Sequence, residues 1–193
     1  PEWLEPHATE RITYQLDLVR SYSLLHQNYS TNTKRNIRKA HKNQISVIQG
    51  ISVNKVIEFC EEHLQPKVED LSKEHFANLR RLISLSVRYR AAEMFAAYTA
   101  ENNLCAVGVF LISHAKAVMI LSVSSHTGKQ QRAMFYLIDY FINRHAQKQL
   151  ILDFEGSEIE GIARFFRGFG AMECHYHRLR INRLPRFMRF LKQ

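Results

Sequence analysis

The amino-acid sequence predicts an α/β fold with a mixed, mostly antiparallel central sheet flanked by helices. Two stretches carry that prediction. Three β-favouring runs, at residues 94–99, 105–112 and 118–124, are separated only by the polar turns Asn102-Asn103 and His114-Ala-Lys116, the pattern of an antiparallel meander. The stretch from Ala117 to Ala171 then reads as strand, loop, helix, strand, helix. In that order each strand ends by delivering polar residues beside a helix start, where acyl and phosphate chemistry is commonly placed. The remaining elements surround this unit.

From the N-terminus, residues 1–10 have no usable periodicity and read as a linker. Residues 11–18, Arg-Ile-Thr-Tyr-Gln-Leu-Asp-Leu, alternate as a strand does. A turn near residues 22–28 precedes a helix capped by Thr31 or Asn32 and running to about Lys42. Residues 45–48 form a short strand and residues 53–64 a helix. Pro66 breaks the chain, and Ser72 starts a helix reaching about Arg90. After the meander come a helix over residues 129–147, a strand at 150–154, a helix at 158–167 and a strand at 173–181. A basic helix after Pro185, in the terminal segment 183–193, completes a chain read as one domain over residues 11–182.

Bulk properties bound the function. With 193 residues, 46% of them hydrophobic, the chain can build a full core without staples. No apolar run approaches the roughly 20 residues of a membrane span, and no signal-peptide pattern opens the chain. Cys60, Cys105 and Cys174 are odd in number and unrelated in spacing, which predicts reduced thiols and a cytoplasmic compartment. The net charge of +9, from 27 basic and 18 acidic side chains, favours an anionic partner such as a nucleotide, a phosphate-bearing donor or RNA. The chain opens on Pro1 rather than Met, as a processed or truncated product would.

Three constellations could carry chemistry. In Asn32-Thr-Lys-Arg-Asn-Ile-Arg-Lys-Ala40, helical spacing gathers Lys34, Arg35, Arg38, Lys39 and Lys42 within an arc of roughly 140°, opposite Thr33, Ile37 and Ala40. This is either a solvated face or a phosphate clamp, in which Lys34, Arg35 and Arg38 would bind. The loop Ser124-Ser-His-Thr-Gly-Lys-Gln-Gln-Arg132 has Thr127 and Gln130 at capping-box spacing, with Gly128, Lys129 and Arg132 beside the helix start. It reads either as an ordinary capped start or as an anion site. In Leu150-Ile-Leu-Asp-Phe-Glu-Gly-Ser157, Asp153 and Glu155 share one strand face about 7 Å apart. They either satisfy neighbouring groups or accept a proton from, and position, an amine nucleophile. Ser157 with Glu160 makes a second capping-box pattern.

Other features point to structure. His175 and His177 share a strand face beside Cys174, but no second ligand pair stands at metal spacing, so no metal is expected. No G-x-S-x-G elbow is present. Cys60 and the group Phe165, Phe166 and Phe169 read as core, and the tail residues Arg183, Arg186 and Arg189 as surface.

The sequence resembles the GNAT superfamily of acyltransferases and, more narrowly, the Fem-type aminoacyltransferases and related acetyltransferase-like proteins. The resemblance spans residues 12–182 and rests on Thr13-Tyr-Gln-Leu-Asp-Leu18, Asn32-Thr-Lys-Arg-Asn-Ile-Arg-Lys-Ala40, Leu152-Asp-Phe-Glu-Gly-Ser157 and Phe165-Phe-Arg-Gly-Phe-Gly170 in that order. It implies a GNAT fold and transfer of an acyl group from acetyl-CoA or another acyl-CoA to an amine, the acceptor being a small molecule or nucleotide-linked. Glu155, then Asp153, would serve as base or amine anchor. Val123, Ser124, Ser125, Thr127, Gly128, Lys129, Gln130 and Arg132 would bind the donor, with strand N–H groups near residues 123–125 polarising its carbonyl. The Fem branch implies an aminoacyl-tRNA donor and a peptidoglycan-precursor acceptor whose phosphates meet Arg35 and Arg38. A non-catalytic GNAT-like domain is a third reading. Fem-type chains usually carry two GNAT-like halves, of which this resembles the C-terminal one, so a second half or a homodimer is an expected partner. Two positions depart from the family patterns. Gly128 stands alone where the donor loop usually has two small residues, and Phe165-Phe166 stands where a Phe-Lys pair is expected, with Arg167 one place later.

Overall fold

A computed structural model describes residues 7–64, 72–156 and 159–180. Seven strands form one sheet in the order β2-β3-β4-β5-β6-β1-β7. They are β1 (His7–Asp17), β2 (Ser46–Gln49), β3 (Ala92–Tyr98), β4 (Leu104–Ser113), β5 (Lys116–Ser124), β6 (Ile151–Asp153) and β7 (Met172–Arg180). Every neighbouring pair is antiparallel except β5 with β6. The helices are α1 (Tyr22–Gln27), α2 (Thr31–Lys42), α3 (Val53–Leu64), α4 (Lys73–Arg88), α5 (His126–Gln131), α6 (Ala133–His145) and α7 (Glu160–Arg167). The meander stands as predicted, the unit that follows it keeps its strand–helix–strand–helix order, and the sheet is mixed and mostly antiparallel.

Each face of the sheet has its own core because strand side chains alternate. On one face, Tyr14 and Leu16 of β1 and Leu18 just after it join Leu152, Phe154, Phe95 and Phe110 beneath α1, α2, α6 and α7. Phe110 stacks on Phe141 of α6 with ring centroids 3.8 Å apart. Burying an aromatic side chain of this size contributes about 1.5–3 kcal/mol. The buried Asp139 of α6 accepts hydrogen bonds from the Tyr22 hydroxyl on both carboxylate oxygens, at 2.9 and 3.0 Å, and so ties α1 to α6. On the other face α3 and α4 bury Val56, Ile57, Cys60 and Ile83 against Val107, Val109 and Val123. That second core draws on β3, β4 and β5 but includes no described residue of β6, β1 or β7. Among the described residues, this half of the face carries no helix.

Several local expectations are corrected. Residues 7–10, expected in a linker, extend β1 by pairing with β7 as far as His7 opposite Arg180. The expected turn at residues 22–28 is the short helix α1. The cap of α2 is Ser30, whose hydroxyl accepts from the Thr33 amide at 3.1 Å, so Thr31 and Asn32 already lie inside the helix. The expected helix over residues 129–147 is two helices, α5 and α6, broken where Arg132 adopts a left-handed φ of 66°. Helix α7 begins at Glu160 with Ile159 as its N-cap. Pro66, Ser157 and the expected tail helix lie outside the described residues. Among the described residues no helix is long and apolar enough to cross a membrane, and all three cysteines are free thiols.

Candidate functional site

The sheet opens where its one parallel pair ends. Strands β5 and β6 pair only over Lys116, Ala117 and Val118 opposite Ile151, Leu152 and Asp153. β6 then stops, while β5 continues to Ser124 against β4 alone. The β4–β5 register jumps from Val109 opposite Leu121 to Phe110 opposite Met119, so Ile120 is an extra residue on β5. Such a bulge bends a strand and leaves backbone polar groups unpaired. Here it falls two residues beyond the last β5–β6 pair.

Asp153, the last residue of β6, lies beside this opening and is 7% exposed. Its Oδ1 accepts from the Thr13 hydroxyl at 2.5 Å and from the Glu155 amide at 2.9 Å. Its Oδ2 accepts from Gln15 Nε2 at 2.8 Å and from Lys116 Nζ at 3.1 Å. Burial alone would raise the carboxyl pKa, but the donors Thr13, Gln15, the Glu155 amide and Lys116 outweigh it and hold the group below its ordinary value. A carboxylate with four donors and a depressed pKa is a poor proton acceptor. Its geometry is that of an anchor which joins β1, β5, β6 and the following turn.

Glu155 differs in every respect. Its backbone adopts φ 65°, in the left-handed region where a non-glycine residue is strained by about 1–2 kcal/mol. Gly156 holds it there: a Cβ on Gly156 would sit 2.2 Å from the Ile12 carbonyl oxygen, so only glycine can back against β1. Glu155 is exposed, and its carboxylate has no hydrogen-bond or ion-pair partner among the described residues. It stands between two lobes of one groove on the open half-face. The inner lobe, about 410 Å³, is lined by Thr13, Lys116, Val118, Asp153, Glu155 and Tyr176. The outer, about 500 Å³, adds Arg11, Gly156, Ile159 and Arg178 to Glu155 and Tyr176. Asp153 and Glu155 are thus brought to one site, with unlike environments.

The expected donor loop is built differently from its sequence pattern. The N-cap is Ser125, not Thr127, and its hydroxyl accepts from the Gly128 amide at 3.1 Å. Gly128 is required because a Cβ there would lie 2.0 Å from the Cys105 carbonyl oxygen. The Ser125 amide donates to the Cys105 carbonyl at 3.0 Å and the Lys129 amide to the Ser125 carbonyl at 3.0 Å. The amides expected to bind a donor at residues 125, 128 and 129 are therefore engaged, and the Val123 side chain is buried in the second core. Exposed His126, Thr127, Lys129, Gln130 and Arg132 and part-buried Ser124 remain, so an anion met here meets the Lys129 and Arg132 side chains and the amides of His126 and Thr127, the first two of α5.

Helix α2 shows the predicted division, with Thr33, Asn36, Ile37 and Ala40 buried. Its basic residues are not equivalent. Lys34 Nζ donates to the Gln27 carbonyl at 2.8 Å, closing the end of α1, and Arg35 donates to Asn32 Oδ1 at 2.8 Å. Arg38 is exposed and has no such partner among the described residues. The helix packs on the face of Tyr14 and Leu16, opposite to that of Asp153, so the stripe and the groove are not brought together. His175 pairs with Glu10 at 2.9 Å and with Glu173 at 3.4 Å.

Lys116, Gln15, Tyr176 and Arg178 were not anticipated at the site. Thr13 and Gln15 were legible in part, as polar residues at alternate positions of a strand whose other face is apolar. Lys116 reads as a turn residue, and nothing local marks its reach to Asp153.

No family model matches the sequence, and neither does any curated protein. Solved structures resemble the fold. FemX matches with a TM-score of 0.69 at 11% identity, over 86% of this chain and 61% of that one. L-PGS from Bacillus licheniformis matches at 0.61 and 9% identity, over 96% and 65%. A tandem GNAT protein from the clavulanic acid biosynthesis pathway matches at 0.52 and 12% identity, over 89% and 55%. The chain spans less than two thirds of each of these structures. The fold is of the GNAT type, in the form that FemX also adopts.

Proposed function

We propose that this GNAT-fold chain is an N-acyltransferase that moves an acyl group from an acyl-CoA to an amine seated beside Glu155. The observation that carries the reading is Glu155 itself, an exposed carboxylate held in a strained backbone conformation at the mouth of the β5–β6 opening. Strain of this kind persists only where surrounding structure enforces it, and it clusters at functional sites. In this reading Glu155 accepts a proton from the acceptor ammonium, directly or through water. The freed nitrogen forms a bond to the donor carbonyl carbon, the carbon–sulfur bond breaks, the nitrogen gives up its second proton to solvent, and the departing thiolate takes one from solvent. Backbone N–H groups of β5 near the Ile120 bulge are candidates to stabilise the developing oxyanion. Lys129 and Arg132 supply charge for the donor phosphates.

The engaged amides at residues 125, 128 and 129 favour a second reading, in which the donor is an aminoacyl-tRNA that needs no pyrophosphate cradle. The bond broken is then an ester, and the leaving group a ribose hydroxyl. The net charge of +9 suits it.

The deciding experiment is turnover of an amine panel with acetyl-CoA and with charged tRNA as alternative donors, for the wild type and Glu155→Gln. Glu155→Gln is expected to lower turnover about 100-fold or more with donor affinity unchanged, as for loss of a general base. Unchanged turnover would remove Glu155 from the chemistry.

A further inference from the structure

Helix α4 is covered on one side only. Phe76 and Ile83 are buried in the second core, yet the side turned away from that core is not purely polar. Leu82 is 47% exposed, Leu85 44%, and Tyr89, the C-cap residue, 74%. At helical spacing these three form one outward stripe with Arg81 and Arg88 beside Leu85, all within an arc of about 120°. Arg80 and Arg90 are exposed as well. None of the four arginines has a hydrogen-bond or ion-pair partner among the described residues. Between Lys73 and Arg90 the chain has a single acidic residue, Glu74.

Three large apolar side chains grouped on one exposed stripe mark a contact surface, unlike the scattered exposure that any protein shows. The charge beside them narrows the partner. A second copy of the chain laid on the same stripe would set arginine against arginine. A nucleic acid would engage the arginines but leave Leu82 and Leu85 without apolar contact. A bilayer with anionic headgroups satisfies both, with leucine at the acyl boundary, tyrosine at headgroup level and guanidinium on lipid phosphate. Helix α3, packed beside α4, exposes Glu58 and Glu62, which confines the contact to α4. We propose that α4 docks the chain on an anionic bilayer surface through Leu82, Leu85 and Tyr89, with Arg81 and Arg88 on the lipid phosphates. The groove lies on the same side of the sheet as α4, so a docked chain turns that side to the bilayer. The assignment does not depend on the acyl-transfer reading.

The test is flotation of the full chain with vesicles of phosphatidylcholine alone and of phosphatidylcholine mixed with phosphatidylglycerol. Binding to the anionic vesicles is expected, with little to the neutral ones. An arginine near such a surface is worth about fivefold in affinity, so Arg81→Gln with Arg88→Gln should weaken binding about 25-fold. Leu82→Gln with Leu85→Gln should weaken it about tenfold or more, because two half-exposed leucines no longer enter the bilayer. The charge-matched pair Arg38→Gln with Lys39→Gln on α2 should leave it within about twofold, since charges far from the contact are screened. All six positions are exposed, and circular dichroism checks that each variant keeps its fold. Equal weakening by the α2 and α4 pairs would reduce the binding to diffuse attraction by the net charge of +9 and overturn the proposal. Vesicle binding that ignores the leucine pair, or no binding to anionic vesicles, would overturn it too. Deacylated tRNA is titrated in parallel. If tRNA binds through Arg81 and Arg88 while anionic vesicles do not bind, the stripe belongs to RNA and the proposal falls.

Discussion

The backbone N–H of Glu155 donates to Oδ1 of Asp153 at 2.9 Å, so one carboxylate of the pair fixes the posture of the other. The sharing of roles follows from environment. Asp153 is enclosed by donors from two strands and the turn that follows it, whereas Glu155 is displayed on a turn that only Gly156 can support.

Asp153→Asn tests the anchor. The amide nitrogen brings a donor where Gln15, Thr13, Lys116 or the Glu155 amide already donates, so at least one buried donor loses its acceptor. The expected loss is about 1–3 kcal/mol, read as a lower midpoint in denaturant. The pH dependence has a definite sign. Because the folded-state pKa is depressed below 3.8, the stabilisation is fully present above that value and is lost as pH falls through the folded pKa. Wild type should therefore lose stability more steeply than Asp153→Asn on acidification below about pH 4. Parallel acid limbs for the two proteins would contradict the anchoring role.

Glu155→Gly separates strain from chemistry. Glycine adopts φ 65° without the Cβ conflict but gives the unfolded chain more freedom, so the net gain is up to about 1 kcal/mol. The expected result is a raised melting temperature together with the loss of turnover seen in Glu155→Gln. A melting temperature that falls would mean that the glutamate side chain stabilises the turn.

The resulting contrast shows what a sequence can and cannot reveal. The alternation of β1, the meander and the buried stripe of α2 obey local periodicities, and each was legible before any tertiary pairing. The Thr127–Gln130 capping pattern was equally local and misled, because close approach of Gly128 to the Cys105 carbonyl decides where α5 begins. The anchor of Asp153 was illegible. Thr13 stands 140 residues away in the chain and Lys116 stands 37, and both meet it only through the sheet order. The positive φ of Glu155 is likewise imposed from outside, by the packing of Gly156 on Ile12.

Placement of α2 on the opposite face from the groove makes a sharp prediction about its basic residues. Lys129→Ala and Arg132→Ala should each weaken CoA binding by about two- to fivefold, as for partly exposed ion pairs. Arg38→Ala should leave it unchanged. Lys34→Ala should also leave it unchanged but lower stability by about 0.5–1 kcal/mol, because the Gln27 carbonyl loses its donor. Calorimetric titration with thermal unfolding reads both. Equal weakening by Arg38→Ala would mean that the donor lies along α2. If tRNA is the donor, Arg38→Ala should instead reduce the salt dependence of tRNA binding by about one unit of slope.

Gly128→Ala tests whether the loop after β5 is positioned by contact with β4. The new Cβ would lie 2.0 Å from the Cys105 carbonyl oxygen, which β4 holds in place and which also accepts from the Ser125 amide. Neither the strand nor the short helix can yield without breaking one of these bonds. The expected cost is about 3 kcal/mol, as for an overpacked interior. Gly161→Ala is the control: it lies in α7 with nothing within 4 Å of the added Cβ, and alanine should stabilise that helix by about 0.5–1 kcal/mol. Denaturant midpoints that move in opposite directions would show that the glycine of the loop is there for contact with β4. A neutral Gly128→Ala would mean that α5 can move away from β4, and the loop would then be free to present its amides to a phosphate after all.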